Sequence, residues 1–173
     1  MPKIKTLFRA VALVIVVVTL LGAWDNSRGL AFVTVTPIEG ILEPKDVGFG
    51  DATLPDYQLR VEVAGSWETI GEREDTSAIG GLQFEVVERI DVKRITQIEL
   101  SENDKLDDDL LERCEVQGLE IRGQAFTFVL QDRFDSQIAI TWLFKTPLGV
   151  LLILGAVIFA LLGAIRAGLE DLA

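Results

Sequence analysis

Six acids crowd into eleven positions of this chain: Glu102, Asp104, Asp107, Asp108, Asp109 and Glu112. Clustered carboxylates suit calcium, which takes roughly six to eight oxygen ligands. The spacing is not that of a calcium-binding loop, however, and no glycine turns the chain inside it. A short solvated helix, capped by Asp107 or Asp108 with Leu106, Leu110 and Leu111 on its apolar face, accounts for the same residues. The expectation is therefore a capped helix and no metal.

Other chemistries fare no better. Paired carboxylates can hydrolyse glycosides, yet any acidic chain contains such pairs. There is no histidine, which removes the commonest general base, zinc ligand and pH switch together. A Ser or Cys nucleophile would then need a lysine or carboxylate base. The chain has six lysines, two of them (Lys3 and Lys5) in the N-terminal tail. The single cysteine, Cys114, stands between Glu112 and Glu115, and acidic neighbours raise a thiol pKa and blunt its reactivity. It reads as a small core residue. No G-x-S-x-G, G-x-G-x-x-G or G-x-x-x-x-G-K motif occurs. Neither an enzyme nor a cofactor site is expected. A net charge of −11 also argues against nucleic acid, whose backbone calls for clustered Lys and Arg. The acid-rich, histidine-free composition would suit a marine or high-salt setting, where acidic surfaces keep proteins apart.

The apolar residues, 49% of the chain of 173, gather at its two ends. Leu7–Trp24 carries only Arg9 as a charge and, as a helix of 18 residues, would run about 27 Å, near the thickness of a bilayer core. A cleaved signal peptide is the competing reading, but a cut after Ala23 would place Leu21 where a small residue is wanted. Thr146–Ile165 is uncharged over twenty residues, with Pro147 in its first turn, where the missing N–H costs nothing. The expectation is a membrane protein with two transmembrane α-helices flanking a mainly β extracytoplasmic domain, an antiparallel sandwich or small α+β fold. Lys3, Lys5 and Arg9 place both termini in the cytoplasm by the positive-inside rule. The boundaries expected are a tail over 1–6, a span over 7–24, the β-rich domain over 25–145, a span over 146–166 and a tail over 167–173. Trp24, Trp142 and Lys145 would mark the membrane interface.

Within the second span, Ala156, Ala160, Ala164 and Gly168 recur at every fourth position, with Gly149 and Gly163 near the edges of that face. Small residues in such a row let another helix backbone approach closely. They are expected to form the helix-packing interface. The partner would be another transmembrane subunit, in a hetero- or homo-oligomer, rather than the first helix, whose small residues are interrupted by β-branched bulk.

Between the ends, alternating apolar residues predict strands at 30–36, at 57–63, from Leu82 to Val86 and from Ile95 to Leu100. Pro37, Pro44 and Pro55, with Gly40, Gly48 and Gly50, predict a loop over 37–56, and 71–81 reads as a second, polar loop. A hairpin turning at Gly123 follows, and Ile138–Trp142 reads as a last strand entering the second span. The function expected is a non-catalytic structural or accessory subunit of a larger membrane assembly, cellular or viral, in contact with membrane lipids. The alternative is a membrane-tethered binding module for a lipid or peptide, which would show an apolar cavity of a few hundred Å³ with convergent polar groups. With no histidine and no spaced cysteines, a chelator is expected to leave the melting temperature of the protein unchanged.

Overall fold

The structure, a computed structural model, describes residues 2–39, 54–103 and 108–170, and within these the side chains of all but residues 2–10, 108, 162, 164 and 166–170. Most of the Pro/Gly loop, the basic flank Lys3, Lys5 and Arg9, and Asp104, Leu106 and Asp107 of the acidic run lie outside that description. The chain forms two compact units. One is Arg28–Arg133; the other joins Met1–Ser27 to Phe134–Ala173.

Among the described residues the first unit holds eight strands: β1 (Arg28–Pro37), β2 (Tyr57–Val63), β3 (Ser66–Arg73), β4 (Leu82–Glu85), β5 (Ile95–Asn103), β6 (Asp108–Glu115), β7 (Glu120–Arg122) and β8 (Phe126–Phe134). They build two four-stranded antiparallel sheets, ordered β4-β1-β8-β7 and β3-β2-β5-β6. The cause is a period of two. Tyr57, Leu59 and Val61 of β2 are buried while Gln58 and Arg60 between them are not, and β4 and β8 alternate in the same way. Successive side chains of a strand point to opposite faces, so each sheet gains one apolar face. The two faces meet in one core, to which Val33 and Val35, Phe84, Ile98 and Leu100, and Phe128 and Leu130 all contribute. Each large side chain buried this way stabilises the fold by roughly 1.5–3 kcal/mol relative to exposure.

Two local readings of the sequence are corrected here. Asp108–Glu115 is not a helix but strand β6, paired with β5 from Gln97↔Glu115 to Asn103↔Asp108. Pairing with β5 outweighs the local preference for a capped helix start, even though it sets Asp109 opposite Glu102. The polar stretch 71–81 is loop only in part, because β3 runs into it as far as Arg73 and pairs with β2.

The second unit is helical: α1 (Pro2–Asp25), α2 (Ser136–Lys145) and α3 (Pro147–Glu170). The strand expected at Ile138–Trp142 is α2. Its start is fixed by Asp135, whose carboxylate accepts hydrogen bonds from the amides of Gln137 (2.8 Å) and Ile138 (3.2 Å), a full N-cap. Ile138, Ala139, Trp142 and Leu143 then follow helical rather than alternating spacing. α2 stops at Thr146, whose backbone is extended, as the residue before a proline must be. Thr146 in turn caps α3, its hydroxyl accepting from the Gly149 amide at 3.2 Å.

The expectation of two membrane-spanning helices is overturned. Among the described residues no single helix is long and apolar enough to cross a membrane. The apolar length found in α1 among the described residues is Val11–Asp25. The other apolar length is a pair, Ser136–Lys145 and Pro147–Leu161, bent by 90° at its break. The two-pass topology, the cytoplasmic termini and the extracytoplasmic central domain rested on those spans, and all three go with them.

The β2–β3 connection is a two-residue turn in which Ala64 (φ 53°) and Gly65 (φ 86°) both take the left-handed conformation, as a type I′ hairpin demands. Glycine does so freely, but alanine loses about 1–2 kcal/mol. Ala64→Asn, which supplies the residue favoured at that position, is expected to raise stability by about 0.5–1 kcal/mol, read as a higher urea midpoint with an unchanged slope.

Candidate functional site

The helical unit is packed at one end and bare along the rest. Where its helices touch, small residues carry the contact. In α1, Thr19 and Ala23 are buried, and Gly22 lies so close to Trp142 of α2 that a Cβ there would sit 2.6 Å from the indole ring. Ala139 of α2 is also buried. Thr19 satisfies its hydroxyl locally, donating to the Ile15 carbonyl at 2.8 Å. Within this unit it is the first apolar segment that makes a close approach. The short α2, unforeseen as a helix, supplies the partner. What could have revealed it is the pair Gly22–Ala23 one turn from the end of α1, with an aromatic-rich helix behind the strong cap Asp135.

The residues expected at a membrane interface take other roles. Trp24 stacks on Phe134 with ring centroids 5.2 Å apart, Trp142 packs on Gly22 as above, and Lys145 lies in the last turn of α2, where a cation favours the helix dipole. Gly149 belongs to the α2–α3 corner: a Cβ there would fall 2.0 Å from the Leu143 carbonyl oxygen.

The small-residue row of α3 is not covered. Ala156 and Ala160 are exposed, and Ala164 and Gly168 fall among the side chains outside the description. A Cβ on Gly155 or Gly163 would meet nothing within 4 Å. Around this row stand Leu151, Leu154, Val157, Ile158, Leu161 and Ile165, all exposed, and Phe159, which is 80% exposed. The apolar surface therefore continues around the helix, and this is the feature most in need of a function.

The β unit holds a polar cluster at the β6 edge. Its register with β5 (Leu100↔Glu112, Ile98↔Cys114) puts Glu112 and Cys114 on the inner face of their sheet. One oxygen of Glu112 accepts the amides of Gln124 (2.9 Å) and Ala125 (2.6 Å), in the β7–β8 turn of the other sheet. The carboxylate thus ties the two sheets at one edge, and Gly123 is required beneath it, since a Cβ there would lie 2.7 Å from that oxygen and 2.9 Å from the Cys114 sulfur. Cys114 itself is partly buried against the core. Burial first, then the charge of Glu112 and a hydrogen bond to it, raise the thiol pKa above its usual value. This is an inert thiol rather than a nucleophile.

Beside the cluster lies a cavity of about 390 Å³ lined by Cys114, Glu115, Gln117, Glu120, Ile121 and Arg122. Its walls are mainly polar, unlike a site for a lipid tail. Of the acidic run, Glu102 is buried in β5 and Asp109 is exposed on β6. Among the described residues no three His, Cys, Asp or Glu side chains are grouped to hold a metal ion. Comparison with known proteins finds no family model that matches the chain and no curated protein that matches it.

The cluster gives a paired expectation. Glu112→Ala removes a charged acceptor from two amides and is expected to cost about 1–3 kcal/mol, seen as a lower melting temperature. Glu112→Gln removes the charge facing Cys114 while keeping its size. It is expected to lower the thiol pKa, so that iodoacetamide alkylates Cys114 several-fold faster near pH 8 than in the parent.

Proposed function

We propose that the protein is a non-catalytic accessory subunit of a larger assembly, which it joins by inserting α3 among apolar helices of its partners. The observation that carries this reading is the apolar surface running round α3 from Leu151 to Ile165. Apolar area left in water costs roughly 25 cal/mol per Å², and contiguous patches of this kind mark interaction surfaces. A helix that is apolar on every side is built to be surrounded. The Ala156/Ala160 row gives that surround one place where a second helix can come close.

Several features weigh against catalysis. No histidine is available, burial and the neighbouring Glu112 raise the pKa of the one thiol, and the Glu112 carboxylate is engaged by two backbone amides. The tethered binding module gains no support from the cavity, whose lining is mainly polar.

Size-exclusion chromatography of tagged full-length chain from its source, extracted in mild detergent, tests the reading. The parent is expected in a species several times larger than its own 19.0 kDa. Phe159→Asp, at a side chain that makes little contact within the chain, and Ala160→Leu, which adds bulk in the small-residue row, are expected to shift it toward the mass of the free chain. A parent that already elutes as a monomer, or variants that stay fully in the large species, would remove the basis for docking through α3.

A further inference from the structure

The outer face of the sheet β3-β2-β5-β6 carries a charged cluster remote in kind from the apolar helix. Arg60 of β2, Glu99 of β5 and Arg113 of β6 stand in one register row across three strands (Arg60↔Glu99, Glu99↔Arg113). They lie on the face opposite Leu59, Val61, Ile98 and Leu100. Glu99 faces outward yet is only 5% exposed, with Arg60 and Arg113 both on its carboxylate. Arg113 grips one carboxylate oxygen through Nε at 2.8 Å and through Nη2. Arg60 reaches the other oxygen from 3.5 Å. Both guanidinium groups also lie against the Trp67 ring, at 5.5 Å for Arg60 and 5.3 Å for Arg113.

Two cations share one anion in this row. Glu62, two residues along β2, accepts from the Thr96 hydroxyl at 2.6 Å and Glu115 stands two residues along β6; both keep their charge, so the feature that marks the row is its spare guanidinium donors rather than a net positive charge. Among the described residues, the hydrogen-bond acceptor that both guanidinium groups use is Glu99. Nη1 of Arg113, and Nε and Nη2 of Arg60, are left with donor capacity. Stacking on an indole holds a guanidinium plane in place, which lowers the entropy lost when it captures a ligand. A planar fork of N–H donors matches a carboxylate or phosphate in two-point contact.

We propose that Arg60 and Arg113, stacked on Trp67 and held by Glu99, form an oxyanion-binding site that takes a carboxylate or a phosphate group. Glu99 is its positioning residue: it sets both guanidinium groups side by side and leaves their spare donors for the ligand. The site lies wholly within the β unit and stands whether or not α3 docks.

Isothermal titration of the full chain at low salt with two probes, pyrophosphate and tetraglutamate, tests it. Saturable binding of pyrophosphate alone points to a free phosphate compound, of tetraglutamate alone to a carboxylate presented by a polypeptide; either supports the site. Arg60→Gln keeps the close Arg113–Glu99 pair and hence the fold, and is expected to weaken binding about tenfold. Trp67→Leu keeps both charges but frees the guanidinium groups, and is expected to weaken it several-fold. Arg122→Gln, on the other sheet, should bind as the parent does. The proposal falls if neither probe binds saturably, if Arg60→Gln binds like the parent, or if Arg122→Gln weakens binding as much as Arg60→Gln.

Discussion

The burial of one face of each sheet against the other is the constraint from which the rest of the β unit follows. Once Leu59, Ile98, Phe84 and Phe128 point inward, the residues between them have no choice of side. Glu99 must face outward, and so must Arg60 and Arg113 in its register row. Glu112 must face inward, where a charged group is costly unless it finds donors. It escapes that cost at the sheet edge, where the amides of Gln124 and Ala125 are waiting. A period of two thus decides which polar groups need rescue, and the same rescue joins the two sheets.

Much of this was legible in the alternation itself. The strands around Val33, Leu59, Phe84 and Ile98 carry apolar residues at every second position, and Gly123 marks the β7–β8 hairpin. What was not legible had local signals pointing the wrong way. Asp107–Asp109 and the leucines after them have the composition of a helix start, but pairing with β5 outweighs it over Asp108–Glu115. The cluster around Glu99 depends on register between strands separated by about forty residues of chain, which periodicity alone does not supply.

The helical unit shows the opposite failure. Hydropathy along Leu7–Trp24 and Thr146–Ile165 suggested two straight spans, but composition does not show that the second segment is entered through a right-angled corner from a preceding helix. The bend comes from three residues within four positions, each with a plain signal: Thr146, extended before proline; Pro147, which opens a new helix; and Gly149, tucked under the Leu143 carbonyl. Small residues occur in both apolar helices, and the contact made within the unit uses Gly22 and Ala23 of α1. Small size permits a close approach; the neighbour's position decides which small residue is used.

The corner at Gly149 also sets the reach of the helical unit. Were α2 and α3 one straight rod from Ser136 to Glu170, it would extend about 52 Å. Turned through a right angle, the same residues become a short arm and a longer one, like a carpenter's square. The angle is held by the lack of a single methyl group, since any side chain at 149 would press on the Leu143 carbonyl and prise the arms apart. The dimension of this unit that most governs what it can span is therefore fixed by its smallest residue.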